Sequence, residues 1–300
     1  MDAPGTRHQA PGTRVGTSVR LIGIDIDGTL LDSQGNLPAE NIAAIHEAVE
    51  AGIHVALVTG RSYPSARPRA DPLPDTLSLI VSSGAVERGM DGSTLARRLL
   101  DKGVAREVLD ATRSLRHAAA LIFDRDTGQQ FIFETMDWEH PDRKGYYARN
   151  QSLIARTVPL EAALTEDPVQ IMFNGGVEPM RQLAEDLRAQ ARGCSVSLTE
   201  YGHRDFSLVD ITSPLATKGQ ALAWRAAQLG IDRGQVMAVG DNYNDLDMLE
   251  FAGIPVVMGN AVAGCKERGW HITGHHDRAG LAEAIRRFAL SPPGFTGPPG

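Results

Sequence analysis

Two aspartates stand at the end of an apolar segment near the start of the chain. Residues 20–35 read RLIGIDIDGTLLDSQG, so Asp25 and Asp27 follow large aliphatic residues and precede a Gly-Thr turn. The aliphatic run is typical of a strand that is buried on both faces. Carboxylates at the end of such a strand are costly to bury unless a cation or hydrogen bonds compensate their charge. The pair therefore indicates a site of chemistry rather than two side chains that cap a turn.

Polar side chains also follow other apolar segments, namely Thr59, the pair Ser82 and Ser83, and the group Asp241, Asn244 and Asp245. Ligands of open α/β sheets bind beyond the carboxyl ends of the strands, so we expect these side chains to converge. Crowded carboxylates repel each other, and they require either a cation or the protonation of one member. Because the donors are oxygens, the pattern favours a hard cation such as Mg²⁺.

Groups that could bind an anion lie in the same set of segments. They are Thr59, Lys218 and the backbone N–H groups of the turn at 27–29. A cation beside an anion pocket and a free carboxylate is the arrangement of a phosphoryl-transfer site. In such a site a carboxylate can act as the nucleophile and form an aspartyl-phosphate.

The elements that must position these residues alternate between strand and helix. Strands are predicted at 20–26, 54–61, 77–85, 235–241 and 254–259, and helices at 37–52, 218–230, 244–253 and 279–290. This rhythm predicts an α/β fold with a Rossmann-like parallel sheet.

The segment 87–211 lies between these two groups of elements and does not alternate in the same way. It has a hairpin signal at Asp91-Gly92 and helices mixed with paired strands. It predicts an α+β module inserted into the first domain. The predicted organisation is a disordered tail at 1–18, a core at 19–86 and 212–290, an inserted cap at 87–211, and a flexible tail at 291–300.

Composition excludes several classes of partner. A net charge of −7 argues against a nucleic-acid binder, and no apolar run reaches the ~18–20 residues that span a membrane. The two cysteines, Cys194 and Cys265, form neither a disulfide framework nor a CxxC site, which favours a reducing, cytoplasmic location. The sequence does not predict an oligomeric state.

The polar segments together resemble the motifs of the haloacid dehalogenase superfamily of phosphatases. The matching segments are DIDGTL at 25–30, VTGR at 58–61, Lys218 and GDNYND at 240–245. The inserted module resembles the C2 cap of the Cof-type subgroup, and the resemblance covers roughly residues 20–290.

The resemblance implies a role for each matched residue. It implies that Asp25 is the nucleophile and a Mg²⁺ ligand, and that Asp27 is the general acid/base, whose backbone carbonyl is also a ligand. The remaining implied roles are phosphate binding by Thr59, Gly60 and Asn244, charge neutralisation by Lys218, and metal binding or support by Asp241 and Asp245.

Two segments depart from the family pattern. Ser83-Gly84 stands where family members often have Asn-Gly, which removes an amide from that position. Late in the chain, Asp277-Arg278-Ala279 precedes Gly280 where an acidic-Gly-Val stretch is usual.

Two further patterns admit two interpretations each. His271, His275 and His276 with Asp277 could bind a transition metal, but solvated surface histidines are the favoured interpretation, because no matching Cys/His set with metal spacing appears. The aromatic and charged stretch 136–149 is either a substrate-reading loop or exposed surface.

The function expected from the sequence is Mg²⁺-dependent hydrolysis of small phosphorylated metabolites such as sugar phosphates. A phosphomutase or phosphotransferase would share the first chemical step and differ in the acceptor. A non-enzymatic protein that is merely phosphorylated on Asp25 needs no general acid, so the presence of Asp27 counts against it.

Overall fold

The computed structural model describes residues 19–125, 128–201 and 204–291. The tail predicted at 1–18, and all but Ser291 of the tail predicted at 291–300, lie outside these residues. The strands are β1 Leu21–Asp25, β2 His54–Val58, β3 Ser78–Val81, β4 Val86–Gly89, β5 Thr94–Arg97, β6 Ala119–Ile122, β7 Phe131–Phe133, β8 Ile154–Arg156, β9 Gln170–Gly175, β10 Ser195–Tyr201, β11 Phe206–Thr212, β12 Val236–Gly240, β13 Ile254–Val257 and β14 His271–Ile272. The helices are α1 Ala39–Glu50, α2 Tyr63–Ala66, α3 Lys102–Ala111, α4 Pro141–Asn150, α5 Val177–Gln190, α6 Lys218–Gln228, α7 Leu246–Phe251, α8 Ala263–Lys266 and α9 Gly280–Ala284.

The first sheet has eight strands in the order β14-β13-β12-β1-β2-β3-β4-β5. From β14 to β3 the neighbouring strands are parallel, and β1 lies between β2 and β12. Apolar side chains of α1 and α9 cover one face, and those of α6, α7 and α8 cover the other. Burial on both faces explains why β1 is a continuous apolar run. The predicted Rossmann-like α/β core is confirmed.

The hairpin predicted at Asp91-Gly92 belongs to the first sheet. Its strands β4 and β5 extend that sheet as antiparallel edge strands, with Val81 paired to Val86 and Val86 paired to Arg97. The predicted start of the cap at residue 87 is therefore wrong. The reason is that a hairpin signal fixes the pairing of two strands with each other but not the sheet that they join.

The second sheet has six strands in the order β10-β11-β9-β6-β7-β8 and forms the inserted α+β module, here called the cap. One of its faces packs against α3 and α5. Most of the aromatic and charged stretch 136–149 lies in α4, and β8 follows it. Within the described ranges, no helix has the length and apolarity needed to cross a membrane.

Candidate active site

The centre of the site is an ion-paired lysine between two carboxylates. Asp25 ends β1, and Lys218 begins α6, which packs beside the first sheet. The Lys218 Nζ lies 2.6 Å from Asp25 Oδ1 and 2.6 Å from Asp245 Oδ1, and all three side chains are buried. Burial opposes the charged form of the lysine, but the two carboxylates raise the pKa of Lys218 above its ordinary value. Lys218 is therefore a fixed positive charge beside the carboxylate of Asp25.

A third carboxylate, that of Asp241, approaches from the neighbouring strand. Asp241 follows β12, and one carboxylate oxygen from each of Asp25, Asp241 and Asp245 lies within 4.8 Å of the others. The pKa of Asp25 is raised to about 8. Burial is the largest cause, Asp245 and Asp241 add to the rise, and Lys218 opposes it. Burial and the charge of Asp245 raise the pKa of Asp241 to about 6. The raised pKa values of Asp25 and Asp241 thus reflect burial and the repulsion between clustered carboxyl groups that share one lysine.

A divalent cation fits this donor set. The clustered atoms are carboxylate oxygens, which hard cations prefer, and a nearby positive charge would return the pKa of Asp25 toward its ordinary range. Asp245 is also held by backbone donors, because its Oδ2 accepts the N–H groups of Asp241 and Asn242 at 3.0 and 3.1 Å. Asp245 thus orients the chain around Asp241 as well as pairing with Lys218.

Asp27 lies in the turn after β1 and is exposed. Arg61 binds both of its oxygens, with Nε donating to Oδ2 at 2.7 Å and the terminal NH2 nitrogen donating to Oδ1 at 2.5 Å. The sequence analysis included Arg61 in a motif but assigned it no role. This bidentate pair holds the carboxylate of Asp27 in one orientation at the mouth of the site.

The predicted phosphate-binding residues Thr59 and Gly60 follow β2. Thr59 is buried, its N–H donates to the carbonyl of Ile80 at 2.8 Å, and its hydroxyl accepts from the N–H of Arg61 at 3.1 Å. Ser83 lies beside them, since its N–H donates to the carbonyl of Thr59 at 3.0 Å. These contacts place the carboxyl ends of β2 and β3 together, as expected for an open α/β sheet whose ligands bind beyond the strand ends.

Gly84 connects the end of β3 to the helix that carries Lys218. Its φ is +101°, and a Cβ at this position would lie 2.2 Å from the carbonyl oxygen of Thr217. Glycine therefore allows the β3 loop to touch the backbone immediately before Lys218. Asn244 is exposed in the short turn Tyr243–Asp245, so its phosphate-binding role stays a prediction.

Asn260 is a site residue that the sequence analysis missed. Its Nδ2 donates to the carbonyl of Gly28 at 2.8 Å and lies 3.4 Å from Asp241 Oδ2, while its Oδ1 accepts the N–H of His276. Asn260 follows β13, so the rule applied to the other strand ends could have identified it. It links the turn after β1 to Asp241 and to the segment at 275–280.

His275, His276 and Asp277, here called the histidine cluster, lie next to Asn260, which accepts the N–H of His276. Ligand atoms of His275, His276 and Asp277 come within 4.8 Å of one another. The ring Nδ1 of His276 is 2.9 Å from the carbonyl of Leu31, and Asp277 Oδ1 accepts the N–H of Ser33 at 2.7 Å. Both contacts join this segment to the loop after β1, which gives these side chains a structural role at the rim of the site.

Gly28 sets the distance between the β1 turn and Asp241. Its φ is +85°, and a Cβ there would lie 2.3 Å from Asp241 Oδ2. We expect Gly28→Ala to lose about 1–3 kcal/mol of stability, because it combines an unfavourable φ with displacement of a carboxylate. The variant should also bind a divalent cation more weakly, which chemical denaturation and calorimetric titration would measure.

Gly35→Ala is the matched control for this change. Gly35 has a similar φ of +81°, but no atom lies within 4 Å of its ideal Cβ. It should lose stability through the backbone conformation alone and keep cation affinity. Equal cation affinities in the two variants would contradict the proposed contact between residue 28 and the site.

Comparison with known proteins agrees with this geometry. Residues 22–285 match the family model of the haloacid dehalogenase-like hydrolases. The chain is 25% identical to the 5-amino-6-(5-phospho-D-ribitylamino)uracil phosphatase YwtE of Bacillus subtilis, over 89% of this chain and 97% of that protein. It is 29% identical to the pyridoxal phosphate phosphatase YbhA of Escherichia coli, over 89% and 98%. A phosphatase of the same superfamily from Bacteroides thetaiotaomicron superimposes with a TM-score of 0.75 at 24% identity, over 95% and 100%.

Proposed function

The chain belongs to the haloacid dehalogenase-like hydrolases, in which it is a phosphatase, and we propose that it hydrolyses small phosphorylated metabolites with Mg²⁺ through an aspartyl-phosphate. The observation that carries this proposal is the buried carboxylate of Asp25, paired with Lys218 and flanked by Asp241 and Asp245. A carboxylate at a strand end, held by a fixed cation, is suited to attack phosphorus.

The cation would be held by Asp25 and Asp241, with Asp245 and the backbone carbonyl of Asp27 completing the oxygen donors. When bound, Mg²⁺ would offset the negative charges of the phosphate and of the attacking carboxylate. Lys218 contributes to the same balance, since its ammonium is already within hydrogen-bonding distance of Asp25.

The proposed reaction has two steps. In the first, a carboxylate oxygen of Asp25 forms a bond to phosphorus, the ester P–O bond breaks, and Asp27 gives a proton to the leaving oxygen. In the second, Asp27 removes a proton from water, the water oxygen bonds to phosphorus, and the bond to Asp25 breaks. Arg61 donates one hydrogen bond to each oxygen of Asp27, so a proton that Asp27 carries would occupy one of the remaining lone pairs.

The proposed substrate class, small phosphorylated metabolites, rests on the site and not on any one relative. The phosphatases named above differ in their leaving groups, so the shared element is the phosphoryl group that Asp25 attacks. The proposal includes a cytoplasmic location and neither a nucleic-acid nor a membrane partner, in keeping with the net charge of −7 and the free thiols of Cys194 and Cys265.

The experiment that tests this proposal is Asp27→Asn, which keeps the shape of the side chain but cannot donate the proton. A poor leaving group such as a sugar alkoxide needs that proton, whereas nitrophenolate leaves without it. We expect kcat/KM on alkyl phosphates to fall about 10²–10⁴-fold and kcat/KM on nitrophenyl phosphate to fall clearly less.

The same variant should accumulate the intermediate. If Asp27 also activates water, the second step slows, and rapid mixing should show a burst of nitrophenol and a phosphorylated protein. Asp71→Asn is the control, because Asp71 is an exposed aspartate that pairs with Arg67 away from these residues. Equal losses on both classes of substrate, without a burst, would remove Asp27 from the acid/base role.

A further inference from the structure

The two faces of the cap sheet differ in character. Along β9 and β11, alternate residues enter the apolar cluster of α3 and α5; they are Ile171, Phe173, Val209 and Ile211. The residues between them face the other way and include Gln170, Met172 and Asp210, which are partly exposed. This second face, here called the open face, has a carboxylate at its centre.

The open face is turned toward the catalytic core. Ile122 of β6 pairs with Gln170, so the two residues share a face. Ile122 packs against the apolar cluster of the first sheet, and it lines a cleft of about 530 Å³ together with Ser82 at the end of β3. The face that carries Asp210 therefore continues into the cleft between the cap and the strand ends of the core.

Asp210 lies on β11, between two neighbouring strands of the open face. It lies opposite Met172 on one side and Ser197 on the other. Its Oδ1 accepts a hydrogen bond from Gln170 Nε2 at 2.9 Å. Solvent reaches the side chain, yet protein surrounds it closely enough that burial raises the pKa of Asp210 to about 7. A carboxylate kept in such a place is stabilised by ligand groups that donate hydrogen bonds to it.

An aromatic cluster lies on the same face of the sheet, three strands away from Asp210. Phe133 pairs with Ala120, which in turn pairs with Met172, so Phe133 also lies on the open face. The ring of Trp138 packs edge-on against Phe133 at 5.1 Å and lies 4.9 Å from the ring of Tyr147 on α4. Aromatic surface and a hydrogen-bond acceptor on one face match a molecule with C–H faces and hydroxyl groups, such as a polyol or a sugar.

We propose that Asp210, oriented by Gln170, selects leaving groups that carry hydroxyl groups and disfavours leaving groups that carry a carboxylate. Above about pH 7, where Asp210 is ionised, hydroxyl groups can donate to it, whereas a second carboxylate would meet its negative charge. The inference rests on the phosphatase function proposed above and names the class of substrate for that same site.

The test is Asp210→Asn, which removes the charge and preserves the volume of the side chain. We expect kcat/KM on ribitol 5-phosphate to fall about 10–100-fold, the effect of losing hydrogen bonds to a charged group. On 2-phosphoglycolate kcat/KM should rise, and on nitrophenyl phosphate it should stay unchanged. Thermal unfolding of each variant would show that the fold is intact.

Asp186→Asn is the matched control. Asp186 is exposed on α5, on the outer side of the cap, and it accepts from Gln182 Nε2 at 3.0 Å, in the same kind of pair as Gln170 and Asp210. This variant should not change the ratio of the three substrates. Gln170→Met should reproduce the direction of the Asp210→Asn effect, since it releases the carboxylate from its fixed orientation.

The outcomes separate this inference from the proposed function. An unchanged substrate ratio in Asp210→Asn, or the same change in Asp186→Asn, would overturn the role of Asp210 while nitrophenyl phosphate hydrolysis still stands. Absence of nitrophenyl phosphate hydrolysis in the unmodified protein would instead contradict the phosphatase function, and the inference with it.

Discussion

Replacing Asp25 with Asn should leave the protein folded but unable to release phosphate from any ester, a loss on the order of 10⁶-fold. The amide cannot act as the nucleophile, and no other carboxylate described here sits at the end of β1 in contact with Lys218. Lys218 keeps its 2.6 Å contact with Asp245, so the buried ammonium retains a partner. Phosphate release and rapid-mixing experiments would measure the loss, with circular dichroism to verify the fold.

The Asp27→Asn variant provides the comparison for Asp25→Asn in the same rapid-mixing experiment. Asp25→Asn should show neither turnover nor a burst of nitrophenol, whereas Asp27→Asn should show the burst with little turnover. A burst in Asp25→Asn would mean that another group receives the phosphoryl group, which would contradict the proposed nucleophile.

Removal of divalent cations should abolish activity, and Mg²⁺ should restore it. The reason is the clustering of the Asp25, Asp241 and Asp245 oxygens within 4.8 Å, since one lysine is shared by three carboxyl groups that repel an approaching phosphate dianion. Ca²⁺ should restore activity poorly, because it prefers more ligands and longer bonds than an in-line phosphoryl transfer accommodates. Phosphate release in chelator, followed by titration with each ion, measures both effects.

The control for chelation uses the histidine cluster. Zn²⁺ would suit His275, His276 and Asp277, whereas Mg²⁺ suits carboxylate oxygens. Restoration by Zn²⁺ and not by Mg²⁺ would assign the essential metal to the histidines and contradict the proposed site. Full turnover in excess chelator would show that no metal is needed.

The convergence of Asp25, Asp241 and Lys218 could be predicted because it depends on local rules. Each lies at a strand end or a helix start, and parallel strands bring their carboxyl ends to one edge. The Asp27–Arg61 pair could not be predicted, because a side chain in a turn can reach several partners and sequence spacing does not select one. Asn260 also lies beyond the end of a strand, β13. It was missed because the strand-end rule was applied to fewer strands than the sheet has.

Contacts outside the local sequence pattern explain the errors in the fold. The strands β4 and β5 have an ordinary hairpin signal, and only the hydrogen bonds between β3 and β4 assign them to the first sheet. Similarly, α4 combines a glycine and few apolar residues, and its place is fixed by tertiary contacts such as Arg143 Nε donating to Asn174 Oδ1 at 2.5 Å. Tertiary contacts of this kind override weak local preferences.

The position of β1 between β2 and β12 has a consequence for how the protein is made. Leu21 pairs with Val236, so the central strand lacks one neighbour until the ribosome has synthesised almost the whole chain. All strands of the cap sheet, by contrast, precede β12, so this sheet can form first. The closure of the long loop between β1 and β12 is a slow, late step. Because Asp25 ends β1 and Asp241 follows β12, a nascent chain that lacks β12 has no complete site for the cation.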